Sequence, residues 1–130
     1  MAKGHRSQYK QDRNEEHHEK RPQAHHKFAR VSDRKARIIL DQIKGKNVSQ
    51  ALGILNYSPR YAAYLIEKVL KSAIANAENN HEMDASKLFV EEVFANRGPK
   101  LKRIQPRAQG RAYRIEKKTS HISIYLNTTE

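Results

Sequence analysis

The feature that most constrains the fold is an apolar stripe between residues 62 and 77. Its members recur at intervals of three and four residues: Ala62, Leu65, Ile66, Val69, Leu70, Ala73, Ile74 and Ala77. This spacing places them on one face of an α-helix. Ser58 before Pro59 is a favoured pairing of N-cap and first-turn residue. The stripe therefore predicts a helix of about twenty residues that ends near Asn79 and forms the centre of the core.

Two shorter helices are predicted upstream. Ser32 is a suitable N-cap for a helix over residues 33–44, whose apolar positions have helical spacing and which Gly45 can end. Ser49 can cap a second helix that ends near Tyr57. Both helices have one apolar face, so we expect them to pack beside the long helix.

Strand patterns bracket the C-terminal third of the chain. Residues 88–95 are rich in β-branched and aromatic side chains, and residues 122–126 alternate between apolar and polar. A turn-like stretch lies between them at residues 106–110. The pattern predicts a β-hairpin whose base pairs two strands in the domain and whose long arm extends roughly 30 Å beyond it, at about ten residues per leg. Residues 26–31 can add a third strand.

Charge is concentrated in that arm. The chain has 26 Lys and Arg against 14 Asp and Glu, a net charge of +12. Residues 96–121 hold nine bases and one acid, Glu116. So much positive charge on a short chain favours a polyanionic partner, and cations at different heights along an arm can each neutralise a phosphate. Tyr113 is the only aromatic residue of the arm, so phosphate and shape contacts should dominate over base stacking.

The domain organisation follows from composition. Residues 1–25 form a basic, His-rich extension with almost no apolar side chain, and we expect it to be disordered when the protein is free. Residues 26–130 form a single globular domain that includes the extended hairpin arm, residues 96–121. No stretch is long and apolar enough for a membrane span, and no export signal is recognisable, so a cytoplasmic location is expected.

No catalytic site is predicted. The chain has no cysteine and no glycine-rich phosphate loop. The histidine pairs at residues 17–18 and 25–26 lack a fold that would fix metal geometry, and adjacent residues such as Ser120 and His121 point to opposite faces of a strand. We expect no enzyme activity, no metal and no cofactor.

Short strings in the arm and upstream of it carry a resemblance. In the arm they are GPKLKRI at residues 98–104, PRA at 106–108, GRA at 110–112 and KKTSHI at 117–122; upstream they lie at residues 29–32, 44–46, 51–52, 68–70 and 72–77. In this order and spacing they closely resemble the bacterial L-twenty-two family of large-subunit ribosomal proteins. The resemblance covers about residues 27–126.

The resemblance implies an α+β fold, with three helices packed on a three-stranded antiparallel sheet and a long protruding basic β-hairpin. It implies a structural constituent of the large ribosomal subunit that binds large-subunit rRNA and supports assembly. It also implies that the hairpin tip lines the nascent-peptide exit tunnel, near where macrolide antibiotics bind. The residues of that tip are Ile104, Gln105, Pro106, Arg107, Ala108, Gln109, Gly110 and Arg111.

Under this interpretation the RNA-binding residues lie in the arm and along the basic rim of the helical domain. They are Arg30, Arg34, Lys35, Lys44, Lys46, Arg97, Lys100, Lys102, Arg103, Arg107, Arg111, Arg114, Lys117, Lys118, Thr119, Ser120 and His121. The expected partners are large-subunit rRNA, neighbouring ribosomal proteins and the nascent peptide, without a membrane and without homo-oligomerisation.

Three features depart from the family pattern. Asp33 stands where the family usually has proline, Glu116 interrupts a stretch that is often more basic, and the N-terminal extension exceeds the shorter family members. Asp33 would place an acid close to RNA.

Two alternatives remain at the level of sequence. An architectural DNA-binding protein with a basic β-arm would wedge an apolar residue, such as Pro106, into the minor groove. A small nuclease or RNA-modifying enzyme would need a convergent set of acids, histidines or metal ligands, and the sequence has none.

Overall fold

The computed structural model describes residues 3–18 and 20–129. This part of the chain has four α-helices and five β-strands, in the order α1 Lys3–Glu16, β1 Gln23–Ala29, α2 Asp33–Ile43, α3 Val48–Tyr57, α4 Tyr61–His81, β2 Leu88–Arg97, β3 Leu101–Pro106, β4 Ala112–Lys117 and β5 Ser120–Thr128. None of these helices is long and apolar enough to cross a membrane.

A three-stranded antiparallel sheet of order β1-β5-β2 underlies the domain. The central strand β5 alternates strictly, and its buried residues Ser120, Ile122, Ile124 and Leu126 face the core. Helix α4 packs on β1 and β5, α2 packs on β2 and β5, and α3 lies against both helices. The expected α+β class, with three helices on a three-stranded antiparallel sheet, is confirmed.

Helix α4 is the long helix that the apolar stripe predicts. All members of the stripe are buried except Ile74, which packs against the core while partly exposed. The predicted start at Ser58 and Pro59 is wrong: α4 begins at Tyr61, and Arg60 is its N-cap. Ser58 instead ends α3, because its backbone N–H donates to the carbonyl of Ile54 and its backbone then turns extended.

Helix α2 begins as expected. The Ser32 hydroxyl accepts the backbone N–H of Lys35 at 3.3 Å, and Gly45 follows the helix with a positive φ of 76°. Helix α3 begins at Val48, one residue before the predicted cap Ser49, and its N-cap Asn47 makes no side-chain capping bond.

The N-terminal extension contains helix α1, whose side chains from Ser7 to Glu16 are exposed. Disorder of residues 1–25 in the free protein stays a prediction, and Met1, Ala2 and Glu19 lie outside the described residues. Strand β1 begins at Gln23, and Ala24 is buried in the core. The globular domain therefore includes residues on the N-terminal side of the expected boundary at residue 26.

The hairpin is built as predicted. Strands β2 and β5 pair at its base, from Leu88 with Thr128 to Arg97 with Ser120. Strands β3 and β4 form the arm, from Leu101 with Lys117 to Pro106 with Ala112.

The turn at the end of the arm closes residues 107–111. The backbone N–H of Arg107 donates to the carbonyl of Arg111 at 2.7 Å. Gln109 and Gly110 have positive φ values of 62° and 69°, so the Gly110 position suits a residue without a Cβ.

Candidate nucleic-acid interface

The arm displays its cations on both faces. Cross-strand partners share a face, so Lys102 and Glu116 lie on the same side as the pair Ile104 and Arg114. Arg103 and its partner Ile115 lie on the opposite side, together with Leu101 and Lys117. Between Leu101 and Lys117 only Ile115 is partly buried, and all nine basic side chains of residues 96–121 are exposed. A polyanion can therefore contact the arm on both faces. An arm with only one basic face could bind a polyanion on that face alone.

Two of the nine cations form ion pairs. Lys100 Nζ lies 3.2 Å from Glu116 Oε2, and Arg97 Nε donates to Asp33 Oδ2 at 3.1 Å. The hydrogen bond from Lys100, followed by its charge, lowers the pKa of Glu116. The negative charge of Glu116 is thus paired within the arm, with Lys100. Among the described residues, the other seven arm cations make no ion pair.

Asp33 anchors the base of the arm. Its side chain is buried at the start of α2, and Oδ2 contacts both Arg97 Nε and Arg37 Nη1 at 3.1 Å. Burial alone would raise the pKa of Asp33, but the hydrogen bond and charge of Arg97 and then the charge of Arg37 outweigh burial and lower it. Arg37 also donates to the carbonyl of Ala95 at 2.7 Å. The acid expected close to RNA is therefore neutralised by two arginines of its own chain, and it ties α2 to β2.

A close joint links the two legs where the arm leaves the sheet. The Gly98 N–H donates to the carbonyl of Thr119 at 2.9 Å, and the Thr119 hydroxyl donates to the carbonyl of Pro99 at 2.6 Å. A Cβ on Gly98 would lie 2.5 Å from the Thr119 hydroxyl oxygen. This position needs glycine because the other leg approaches too closely for any side chain.

At the tip, Arg107 Cζ lies 5.5 Å from the ring centroid of Tyr113. The contact fits a cation–π interaction. Arg111, the other arginine of the tip, has no aromatic contact among the described residues.

The predicted rim residues Arg30, Arg34, Lys35, Lys44 and Lys46 are all exposed. Three other predictions need correction or qualification. Thr119 and Ser120 are buried and unavailable to a phosphate, because Thr119 belongs to the joint and Ser120 faces the core. His121 is partly buried, and its Nδ1 accepts the backbone N–H of Phe28 at 3.0 Å.

A cleft of about 640 Å³ opens beside the arm, between the end of β4 and the starts of α2 and α4. Its lining includes predicted rim and arm residues, Arg30, Lys35, Lys117 and Lys118, together with Arg60 and Tyr61. The last two were missed by sequence reasoning. The sequence does indicate an exposed aromatic pair here, because Tyr61 and Tyr64 lie three residues apart on the side of the long helix opposite its apolar stripe.

In the described part of the chain, no three His, Asp or Glu side chains are grouped as metal ligands. His25 Nδ1 instead lies 2.8 Å from the Ser123 hydroxyl on the outer face of the sheet.

Comparison with known proteins identifies relatives of this architecture. Residues 24–127 match the family described as Ribosomal protein L22p/L17e. The chain is 60% identical over 127 residues to the large ribosomal subunit protein uL22 of Lachnospira eligens, and the match covers 98% of each chain. It is 61% identical to the uL22 protein of Lachnoclostridium phytofermentans, again over 98% of each. With the uL22 protein of Clostridium novyi it shares 57% identity over 100 residues, which cover 77% of this chain and 90% of the relative.

Proposed function

The chain belongs to the Ribosomal protein L22p/L17e family, and on that premise we propose that it is a structural, non-catalytic constituent of the large ribosomal subunit that binds large-subunit rRNA through its arm. Its partners are then the rRNA and neighbouring ribosomal proteins. Because its relatives are bacterial proteins of the large subunit, the proposed location is the cytoplasm.

The arm is the observation that carries this proposal. It has no apolar core of its own, since from Leu101 to Lys117 the side chains are exposed apart from the partly buried Ile115. An isolated two-stranded hairpin is marginally stable in water, so a binding partner has to contribute to its order. Seven exposed cations without ion pairs in the described residues, spread over both faces, favour a folded polyanion that encloses the arm.

We place the tip, residues 104–111, in the wall of the nascent-peptide exit tunnel, and we make the nascent peptide a transient partner. All eight of these residues are exposed, and they lie at the end of the arm away from the sheet. Arg107 and Arg111 at the turn would face RNA or the tunnel lumen. The alternative of a DNA-binding arm has no comparable support, because the family and the relatives are ribosomal.

A charge-matched pair of variants tests the proposal. One variant replaces Lys102, Arg103 and Arg114 of the arm with alanine. The control replaces the exposed residues Lys10, Lys20 and Lys87, which lie outside the arm, and so removes the same charge. Each protein is incorporated into large subunits and sedimented at rising salt concentration.

We expect the arm variant to dissociate at a lower salt concentration than the wild type, while the control stays bound. Equal loss from both variants would mean that net charge alone decides binding. Retention of both would remove the arm from the interface. Failure of the wild-type protein to sediment with the large subunit would contradict the proposed function itself.

A further inference from the structure

The cleft beside the arm brings together three segments that are distant in sequence. Arg30 and Lys35 come from the entry to α2, Arg60 and Tyr61 from the start of α4, and residues 116–118 from the end of β4. Its volume of about 640 Å³ lies within the range of roughly 300–1,000 Å³ typical of sites that enclose a small organic group. A nucleotide fits such a space, whereas a nucleic-acid duplex is too wide to enter it.

The charge of the cleft favours an anion. Its lining has five basic residues, Arg30, Lys35, Arg60, Lys117 and Lys118, and one acid, Glu116. Glu116 is already paired with Lys100 at 3.2 Å. None of the five bases makes an ion pair within residues 3–18 and 20–129. Their charges are therefore available to phosphate groups.

The cleft also has an aromatic wall. Tyr61 is 60% exposed, and its ring lies against Tyr64 with the centroids 6.3 Å apart and the planes inclined by 31°. Lys68 Nζ lies over the ring of Tyr64, 4.4 Å from its centroid, so Tyr64 already has a cation–π partner. Tyr64 thus supports Tyr61 from one side, and the rest of the Tyr61 ring remains accessible from the cleft. At the arm tip, by contrast, Arg107 already contacts the ring of Tyr113.

We propose that this cleft binds an unpaired nucleotide of the large-subunit rRNA, with its base stacked on Tyr61 and the adjoining phosphates held by the surrounding arginines and lysines. Proteins read single-stranded RNA by this combination of aromatic stacking and backbone cations. The inference rests on the proposed function, and it adds a second contact, on the globular domain, to the contact made by the arm. It assigns stacking to Tyr61 and phosphate binding to Arg60.

The test compares three full-length variants with the wild type. Tyr61→Ala removes the ring, Tyr61→Phe keeps it, and Tyr57→Ala removes a tyrosine that is 92% exposed and lies outside the cleft. The probe is a full-length transcript of large-subunit rRNA, and affinity is measured over a range of salt concentrations. Thermal unfolding of each variant verifies that the fold is retained.

We expect Tyr61→Ala to weaken binding by roughly 5- to 150-fold, the effect of losing one stacked base. The slope of log affinity against log salt should not change, because no phosphate contact is removed. Tyr61→Phe and Tyr57→Ala should bind like the wild type.

Wild-type affinity in Tyr61→Ala would overturn the stacking proposal while leaving the proposed function intact. If Tyr61→Ala bound naked rRNA normally but was lost from complete subunits, the cleft would hold a neighbouring protein, and the proposal would again be wrong. Absence of salt-dependent rRNA binding by the wild type would instead contradict the proposed function.

Discussion

At the scale of single residues, Asp33 shows how a buried acid can serve a basic interface. It is 2% exposed, yet it is held ionised because Arg97 and Arg37 both contact its carboxylate. Asp33 lies in the first turn of α2, where negative charge is also favourable. The residue thereby orients Arg97 at the base of the arm without presenting its charge to solvent.

Asp33→Asn should lower the free energy of unfolding at pH 7 by about 1–3 kcal/mol, because charge-assisted hydrogen bonds are lost. The pKa of Asp33 is lower in the folded protein than in the unfolded chain, so its stabilising contribution is present above the unfolded value of about 4 and is lost as the pH falls through the folded value. The difference between wild type and variant should therefore shrink in acid. Urea unfolding at neutral and acidic pH measures it.

Asp41→Asn is the control, since Asp41 is exposed on the same helix and makes no ion pair among the described residues. It should change stability by less than about 0.5 kcal/mol. Equal effects of the two substitutions would contradict the anchoring role of Asp33.

Ser120 presents the opposite case of a polar group in an apolar setting. Its side chain is fully buried, and its hydroxyl oxygen has no hydrogen-bond partner in the described part of the chain. Ser120→Ala should therefore leave stability unchanged or raise it by up to about 2 kcal/mol, because a desolvated hydroxyl is removed. Affinity for rRNA should stay at the wild-type value. A clear loss of affinity without loss of stability would restore Ser120 to the interface.

At the scale of elements, the joint at Gly98 determines how the arm leaves the sheet. Gly98→Ala brings a Cβ to 2.5 Å from the Thr119 hydroxyl oxygen and 3.3 Å from its backbone. Thr119 is β-branched and is held by its hydrogen bond to Pro99, so it cannot move aside easily. We expect a destabilisation of about 1–3 kcal/mol and changed NMR shifts along β3 and β4.

Gly53→Ala is the matched control for this substitution. Gly53 lies in α3, and a Cβ there meets no atom within 4 Å. Alanine is the better helix former, so this variant should be more stable by up to about 1 kcal/mol, without changes in the arm. Similar effects of both substitutions would mean that the approach of Thr119 does not constrain residue 98.

The elements also differ in how far the sequence reveals them. Helix α4 and strand β5 are predictable because each buries one face and so has a clear period in its sequence. The start of α4 is not predictable in this way, since Ser58 takes part in ending α3 instead of capping the next helix. Helix α1 has no apolar stripe to reveal it, although lysine, arginine, glutamine and glutamate are good helix formers.

The same distinction applies to the interface. The arm's cations are predictable because all nine lie in one continuous segment, residues 97–118, flanked by strand patterns. The cleft is not predictable from the sequence, because Arg30, Arg60 and Lys117 come together only after the chain has folded.

At the scale of the whole molecule, positive charge is separated from the core. The arm carries nine of the 26 basic residues with one acid, whereas the helices and sheet carry a more balanced mixture. The globular domain can therefore fold without strong self-repulsion, and the arm keeps its charge for a partner.

The salt dependence of rRNA binding follows from the unpaired arm cations. Within residues 3–18 and 20–129, two of the nine are paired, which leaves seven. At roughly 0.7 counterions released per phosphate, the arm alone gives a slope of log affinity against log salt near −5. Arg103→Ala should make the slope shallower by about 0.7, because Arg103 makes no ion pair in the described part of the chain. Arg97→Ala should change it less, because the charge of Arg97 is already balanced by Asp33. Filter binding of the full-length proteins to the rRNA transcript measures all three slopes. A wild-type slope shallower than about −2 would show that the arm is not the main binding element, and equal changes in the two variants would show that the pair with Asp33 opens when RNA binds.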